Sequence, residues 1–246
     1  GYGAAKQHHL TGTLLAEYQK SVQRDFFTTV KGFTSNLHGY DNLAAGSILP
    51  YGGTKSRYEN TALASLMGLL EYRYANAFSF TANARADGSS MFGHGNKWGV
   101  FPSLSAKWNV LETFRYMYRP FGLNKLELRT SYGLAGNTGG ITSYNSLQLL
   151  NPTGLISWNG NPTTTLGIIS NANPDLKWET RSSFNIGADM ALWKGRIVLT
   201  ADYYYSLTRN MLYMYDVPVP PFAFDKLLAN LGRMRNSGFE FGLGIT

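Results

Sequence analysis

Stretches of ten or more residues alternate apolar and polar side chains one by one. This period of two fits extended strands and does not fit a helix over the same residues. Between Phe78 and Asp87, Phe78, Phe80, Ala82, Ala84 and Ala86 fall on one face, and Ser79, Thr81, Asn83, Arg85 and Asp87 on the other. The split recurs at Leu126, Leu128, Thr130, Tyr132 and Leu134, opposite Glu127, Arg129, Ser131 and Gly133. It returns at Phe184, Ile186, Ala188, Met190 and Leu192, opposite Asn185, Gly187 and Asp189. Ile197, Leu199, Ala201, Tyr203 and Tyr205 repeat it opposite Arg196, Thr200 and Asp202, and Phe239, Phe241, Leu243 and Ile245 close the series. The pattern predicts nine strands, near 9–18, 25–34, 62–74, 77–87, 101–110, 124–135, 176–192, 196–208 and 236–246. The second has no clean face, because Phe26, Phe27 and Phe33 do not share one side. Globular strands average about 5–6 residues, whereas about ten residues cross a bilayer at a tilt.

The connections sharpen this reading. Ala75-Asn76 and Trp193-Lys194-Gly195 are tight, and Gln19 to Arg24 and Leu111 to Gly122 are modest. Asn36 to Asn60, Gly88 to Val100, Gly136 to Asp175 and Arg209 to Arg235 are long. Outer-membrane barrels alternate in this way, with short periplasmic turns and long extracellular loops. The alternation predicts a first strand running from outside to inside. Tyr72, Tyr74, Trp108 and Trp193 then lie near inner strand ends, and Trp178 and Tyr205 near outer ends. Two such bands are the expected aromatic girdles.

Composition agrees. Only 15% of residues are charged, against about a quarter in soluble domains. Aromatics make up 14%, and no run of about 18 apolar residues offers a transmembrane helix. The absence of cysteine excludes disulfides and thiolate metal sites. The net charge of +7 is spread without a basic run. That suits a solvated surface, with attraction to anionic lipid or lipopolysaccharide phosphates, and no motif supports nucleic-acid binding. Gly1 to His9 lacks the apolar core of a signal peptide. Single-chain bacterial barrels close on an even strand number, and open edges are not viable in lipid. The expectation is therefore an all-β chain in which 1–246 forms an antiparallel transmembrane segment of a larger barrel.

Four segments resemble the SusC/RagA family of TonB-dependent transporters of Bacteroidetes. They are YRYANAFSFTANARADGSSMFGHGNKWGVFPSLSAKWNV (72–110), LNKLELRTSYGLAGN (123–137), NPDLKWETRSSFNIGADMALWKGRIVLTADYYYSLTRNML (173–212) and NLGRMRNSGFEFGL (230–243). They cover about half the chain, in the family's order and spacing, and the first 60 residues match less clearly. The resemblance implies a 22-stranded barrel around an N-terminal plug, with plug and TonB box outside this sequence. It also implies a SusD-like surface lipoprotein as a lid, import of glycan-type nutrients powered through TonB, and an outer-membrane location. Peptides, siderophores or cobalamin are alternative cargoes. A soluble all-β carbohydrate-binding or hydrolytic domain is the alternative from another class. It would bury Phe78, Phe80, Leu128, Phe184, Ile186 and Leu199 between two sheets.

Candidate site residues follow from position and chemistry. The loop from Asn137 to Asn173 carries Tyr144, Asn145, Trp158, Asn159 and Asn161, aromatics and amides that suit sugar or peptide capture. The loop from Arg209 to Arg235 carries Pro218, Pro220, Pro221, Phe222 and Phe224, where prolines stiffen an extended lip. The Asp87-Gly88-Ser89-Ser90 segment reads as a sharp turn. On the polar parity lie Arg73, Arg85, Lys107, Glu127, Arg129, Asp189 and Asp202, with Glu71, Asp87, Glu179, Arg181, Arg196 and Glu240. Both signs are mixed there, as in a lumen wall that pairs its own charges. No matched acid–base pair or nucleophile motif stands out, so an enzyme is not expected. His8, His9, His38 and His94 have no metal-ligand spacing, and no metal or cofactor is expected.

Overall fold

A computed structural model of the chain describes residues 7–37, 39–114 and 122–245, so His38 and part of the Leu111–Gly122 connection lie outside the described residues. In chain order the strands are β1 (His8–Thr28), β2 (Lys31–Phe33), β3 (Gly46–Ile48), β4 (Thr54–Tyr74), β5 (Phe78–Ser89), β6 (Trp98–Asn109) and β7 (Leu123–Asn137). They continue as β8 (Leu150–Trp158), β9 (Asn161–Ile168), β10 (Glu179–Leu192), β11 (Ile197–Arg209), β12 (Leu212–Asp216), β13 (Lys226–Asn230) and β14 (Arg233–Ile245). Eight form one antiparallel sheet, ordered β1-β4-β5-β6-β7-β10-β11-β14. The other six make three hairpins, β2–β3, β8–β9 and β12–β13, each inside a long connection.

The sheet thus has eight strands rather than nine. Residues 9–18 and 25–34 do not form two strands. Residues 8–28 are the single strand β1, of 21 residues, paired without a break from His8↔Tyr74 to Thr28↔Thr54. Gln19 to Arg24 contains no glycine or proline that would turn the chain, and Lys20, Val22 and Arg24 simply continue one face while Gln19, Ser21 and Gln23 continue the other. The correction also reverses the first strand. β1 runs toward a long connection, from inside to outside, and the tight/long alternation persists with eight strands.

Side-chain order follows from an unbroken register. One row of paired residues crosses all eight strands: His9, Arg73, Ser79, Lys107, Arg129, Gly187, Asp202 and Glu240. The next row on the same face is Thr11, Glu71, Thr81, Ser105, Ser131, Asn185, Tyr204 and Gly238. Between them, on the opposite face, runs Leu10, Tyr72, Phe80, Ala106, Thr130, Ile186, Tyr203 and Phe239. Directly paired residues share a face and neighbours along a strand alternate, so in these rows one face is mainly polar and the other mainly apolar.

Nothing covers the apolar face among the described residues. Phe80 is 48% exposed, Leu128 39% and Ile186 49%. A soluble sandwich would have buried them, so that alternative does not hold. A face this apolar is stable only against hydrocarbon. Toward the inner end, Phe78 stacks on Trp108 with ring centres 5.9 Å apart, and His8 lies 4.9 Å from the ring of Tyr74.

Trp178 departs from the girdle expectation. It precedes β10, which starts at Glu179 rather than 176, and is only 9% exposed. With Phe92, Phe101, Ile141, Leu176 and Leu228 it forms a hydrophobic core beneath the long connections. Its indole Nε1 donates to the carbonyl of Lys97 at 3.1 Å. Arg196, placed with the inward strand charges above, instead belongs to the turn that closes at Trp193–Gly195. The long connections are not plain loops either. β8 and β9 meet at Asn159-Gly160, where both residues take positive φ (52° and 77°), the backbone of a two-residue hairpin turn.

Candidate functional site

The polar face holds two charged clusters. In the first, Arg129 on β7 reaches across β10. Its Nε donates to Asp189 at 3.1 Å and its Nη2 to Asp202 at 2.5 Å. Gly187 is paired with both Arg129 and Asp202, and a Cβ there would collide with Asp202 and come within 2.9 Å of Arg129 Cζ. Only a residue without a side chain lets the guanidinium bridge two strands away. Beside it, Glu127 is paired by Lys107 at 2.7 Å and Lys125 at 3.8 Å. Arg73 stands in the same row, on β4.

The second cluster lies toward the outer end. Arg85 Nε donates to both carboxylate oxygens of Asp87, at 2.7 and 3.0 Å, and Arg85 Nη2 donates to Ser65 Oγ at 3.1 Å. Glu17 of β1 stands 3.8 Å away. Asp87, placed at a turn from the sequence, belongs to β5, which runs on to Ser89.

Next to this cluster is a cleft of about 370 Å³, lined by Asn83, Arg85, Asp87, Phe101, Asn137 and Trp178 among others. β6 opens it. Pairing with β7 stops at Ser103↔Gly133, next to Pro102, which has no N–H to donate to a ladder. The Phe101 ring fills the gap over Gly136, where a Cβ would collide with it. Asn83 Oδ1 is buried here with no hydrogen-bond partner. The cleft therefore offers an unspent acceptor, a paired guanidinium and carboxylate, and two aromatic walls.

Above the cleft the four outer connections are bound together. Asn171 Nδ2 donates to the carbonyls of Phe224 and Lys226 at 2.6 and 2.8 Å, and its Oδ1 accepts from the amides of Ala223 and Phe224, both at 3.1 Å. Asn173 donates to Leu228 O at 2.8 Å. Asn230 donates to the carbonyls of Lys177 and Asn210 and accepts from the amide of Lys177. Three asparagines thus zip the segment before β10 onto β13. Tyr51 Oη donates to Gly154 O at 2.8 Å, tying the first outer connection to the β8–β9 hairpin.

The sequence-predicted loop residues are not gathered into one pocket. Trp158, 65% exposed, and Asn159 and Asn161 stand at the tip of the β8–β9 hairpin. Tyr144 and Asn145 are half-buried in the turns between β7 and β8 instead. Asn145 Oδ1 accepts from Thr142 N and Oγ1 at 2.5 and 2.6 Å, so its carbonyl organises its own turn. Phe222 is half-buried in a bend whose amide donates to Pro218 O at 3.3 Å, not in an extended lip. Sequence reasoning passed over Asn83, Phe101, Asn171, Asn173 and Asn230. The asparagine-rich run from Asn171 to Asn173 was a usable signal, because such side chains bond readily to backbone. Among the described residues no group of His, Asp and Glu could hold a metal ion.

Residues 2–246 match the family model for the TonB dependent receptor-like β-barrel. The chain belongs to the TonB-dependent receptor β-barrel family. TonB-dependent receptor P26 of Formosa agariphila is 33% identical over 98% of this chain, which spans 24% of that protein. TonB-dependent receptor SusC of Bacteroides thetaiotaomicron is 32% identical over 74% of this chain, which spans 18% of it. The structure of the RagAB peptide transporter superposes with a TM-score of 0.82 at 27% identity, covering 98% of this chain and 26% of that one. The chain is thus about a quarter or less of the length of these relatives. As a TonB-dependent barrel it is an outer-membrane protein, and its one-layered sheet is barrel wall.

Proposed function

We propose that the whole protein imports an oligomeric nutrient across the outer membrane, with this chain as about a third of the barrel wall around a plug. The observation that carries the reading is the two-faced sheet, apolar outward and polar inward across eight strands. Cargo passes along the polar face once the plug rearranges. Arg73, Arg85, Lys107, Glu127, Arg129, Asp189 and Asp202 keep that face wet, and all but Arg73 are ion-paired on it. Energy comes through TonB, and a SusD-like surface lipoprotein closes the outer mouth. The family is one of transporters, and on this reading the protein moves its cargo without chemical change.

A glycan is the first cargo class. The cleft combines amides, a paired carboxylate and aromatic walls, and Trp158, Asn159 and Asn161 expose a ring and two amides at the hairpin tip. Together they suit hydroxyl-rich rings. A peptide is the second reading, favoured by likeness to the RagAB peptide transporter. The test is uptake by a strain lacking the full-length gene, offered defined oligosaccharides and oligopeptides with and without an uncoupler. Loss of uptake of one class, with the same loss on uncoupling, is expected. Unchanged uptake of every class would defeat the proposal.

A further inference from the structure

The apolar face carries charge only where its strands reach the outer rim, and that charge has one sign. Following the register across all eight strands, the ionised residues on this face are Lys20 and Arg24 on β1, Arg209 on β11, and Arg233 and Arg235 on β14. No aspartate or glutamate shares it. The polar face, by contrast, mixes both signs and pairs them.

Three of these residues cluster. Arg209 and Arg233 are directly paired across β11 and β14, and Arg235 faces Leu207 one step inward. All three are exposed. Arg209, which has a strand on either side, faces Thr180 on β10 and Arg233 on β14, with no carboxylate opposite it. Like charges directly opposite in a sheet are destabilising on their own, and an anion over the pair offsets that cost.

Height identifies the anion. β11 and β14 have 13 residues each. Each has isoleucine at its inner end, Ile197 and Ile245, and arginine at its outer end. At about 3.3 Å per residue such a strand is about 40 Å long. A tilt of about 40° makes it roughly 30 Å tall, the thickness of the hydrocarbon layer. Below the arginines the same face is Tyr203, Tyr205, Phe239, Phe241 and Leu243. The guanidiniums therefore sit where the hydrocarbon ends and lipid phosphates begin, and their forked donors match phosphate oxygens.

We infer that Arg209, Arg233 and Arg235 form a binding site for the phosphate groups of an outer-leaflet lipid whose acyl chains lie on the aromatic band below. The inference rests on the sheet's place in the outer membrane and not on any cargo. The test uses the full-length protein in detergent. Its probes are phosphorylated lipid A, the same lipid with its phosphates removed, and inorganic phosphate. Removing the phosphates weakens binding on the order of a hundredfold, since each arginine at an anionic surface contributes roughly a fivefold factor. The variant R209Q/R233Q/R235Q loses the same factor, and the all-lysine variant keeps most of it. Equal binding of both lipids, or displacement of lipid A by an equal concentration of inorganic phosphate, would overturn the site. So would a triple glutamine variant that loses thermal stability but binds lipid A as before, because its arginines would then serve a carboxylate elsewhere in the barrel. Should that variant fail to fold, the comparison of the two lipids on the unsubstituted protein decides alone.

Discussion

Wall and cap solve the problem of hydrophobic side chains in opposite ways. In the wall, Phe80, Leu128 and Ile186 point away from the protein, and order comes from the backbone ladder and from charge pairs on the other face. In the cap, Phe92 and Leu176 are buried almost completely, and order comes from a small core and from asparagine side chains that bond to backbone. Two tryptophans make the contrast concrete. Trp108 rests on Phe78 near the inner end of the wall, whereas Trp178 is enclosed between Phe92 and Phe101. Hydrocarbon is the wall's second layer, whereas the cap, standing in water, must supply its own.

The largest effect expected from breaking this contrast is in the cap. Replacing Trp178 with alanine removes a buried ring and its bond to Lys97, at a cost of about 3–5 kcal/mol. Hydrogen exchange in the full-length protein should show faster opening around residues 138–178 and 210–232, with β10 and β11 unchanged. Equal acceleration in the wall would mean that the two regions are one cooperative unit.

Next comes the wall. Ile186→Arg places a charge against lipid and should cost about 2–4 kcal/mol. Asn185→Arg, one position away, should change stability by about 0.5 kcal/mol or less. Urea unfolding from lipid vesicles measures both. Similar values would remove the distinction between the faces.

Asn171→Ala removes the side-chain partner of four backbone groups, three in the β12–β13 connection and the carbonyl of Lys226 at the start of β13. The cost is about 1–3 kcal/mol, since buried polar groups lose their bonds. Selective protease nicking between residues 217 and 226 checks it, and an uncut loop would show that water replaces the amide.

The smallest effect is at Lys226, whose amine is raised above its ordinary value by a hydrogen bond to Asp216 and by that residue's charge. A raised lysine stabilises the fold fully below its unfolded value, and that contribution is lost as pH rises through the folded value. The β12–β13 hairpin should therefore loosen only above pH 10.5, and Asp216→Asn should make it looser at neutral pH and remove the alkaline step. Nicking by an alkaline-active protease across that range reads it, and an unchanged alkaline step in the variant would contradict the pairing.

The wall was legible because a period of two is local. Phe78 to Asp87 shows its faces without reference to any other strand. β1 was misjudged for a local reason too. Its apolar pattern thins after Tyr18, where Lys20 and Arg24 rise past the hydrocarbon, so one long strand looked like two. The cap was illegible because its contacts are distant in sequence: Trp178 meets Phe92, Asn171 meets Phe224 and Tyr51 meets Gly154. The cleft was missed likewise, since it depends on β6 leaving β7 beside Pro102. Asn159-Gly160 carries a hairpin-turn signature that went unread, because Asn159 and its neighbours were weighed only for binding.

The central claim is that alternate side chains of one strand meet different media. This chain has no cysteine, so with any cysteine elsewhere in the full-length protein replaced by serine, single cysteines can be introduced at Ser183, Phe184, Asn185 and Ile186 and spin-labelled in lipid vesicles. Collisions with dissolved oxygen should dominate at 184 and 186, and collisions with a water-soluble nickel complex at 183 and 185. A profile that does not alternate, or that alternates in the opposite phase, would contradict the account.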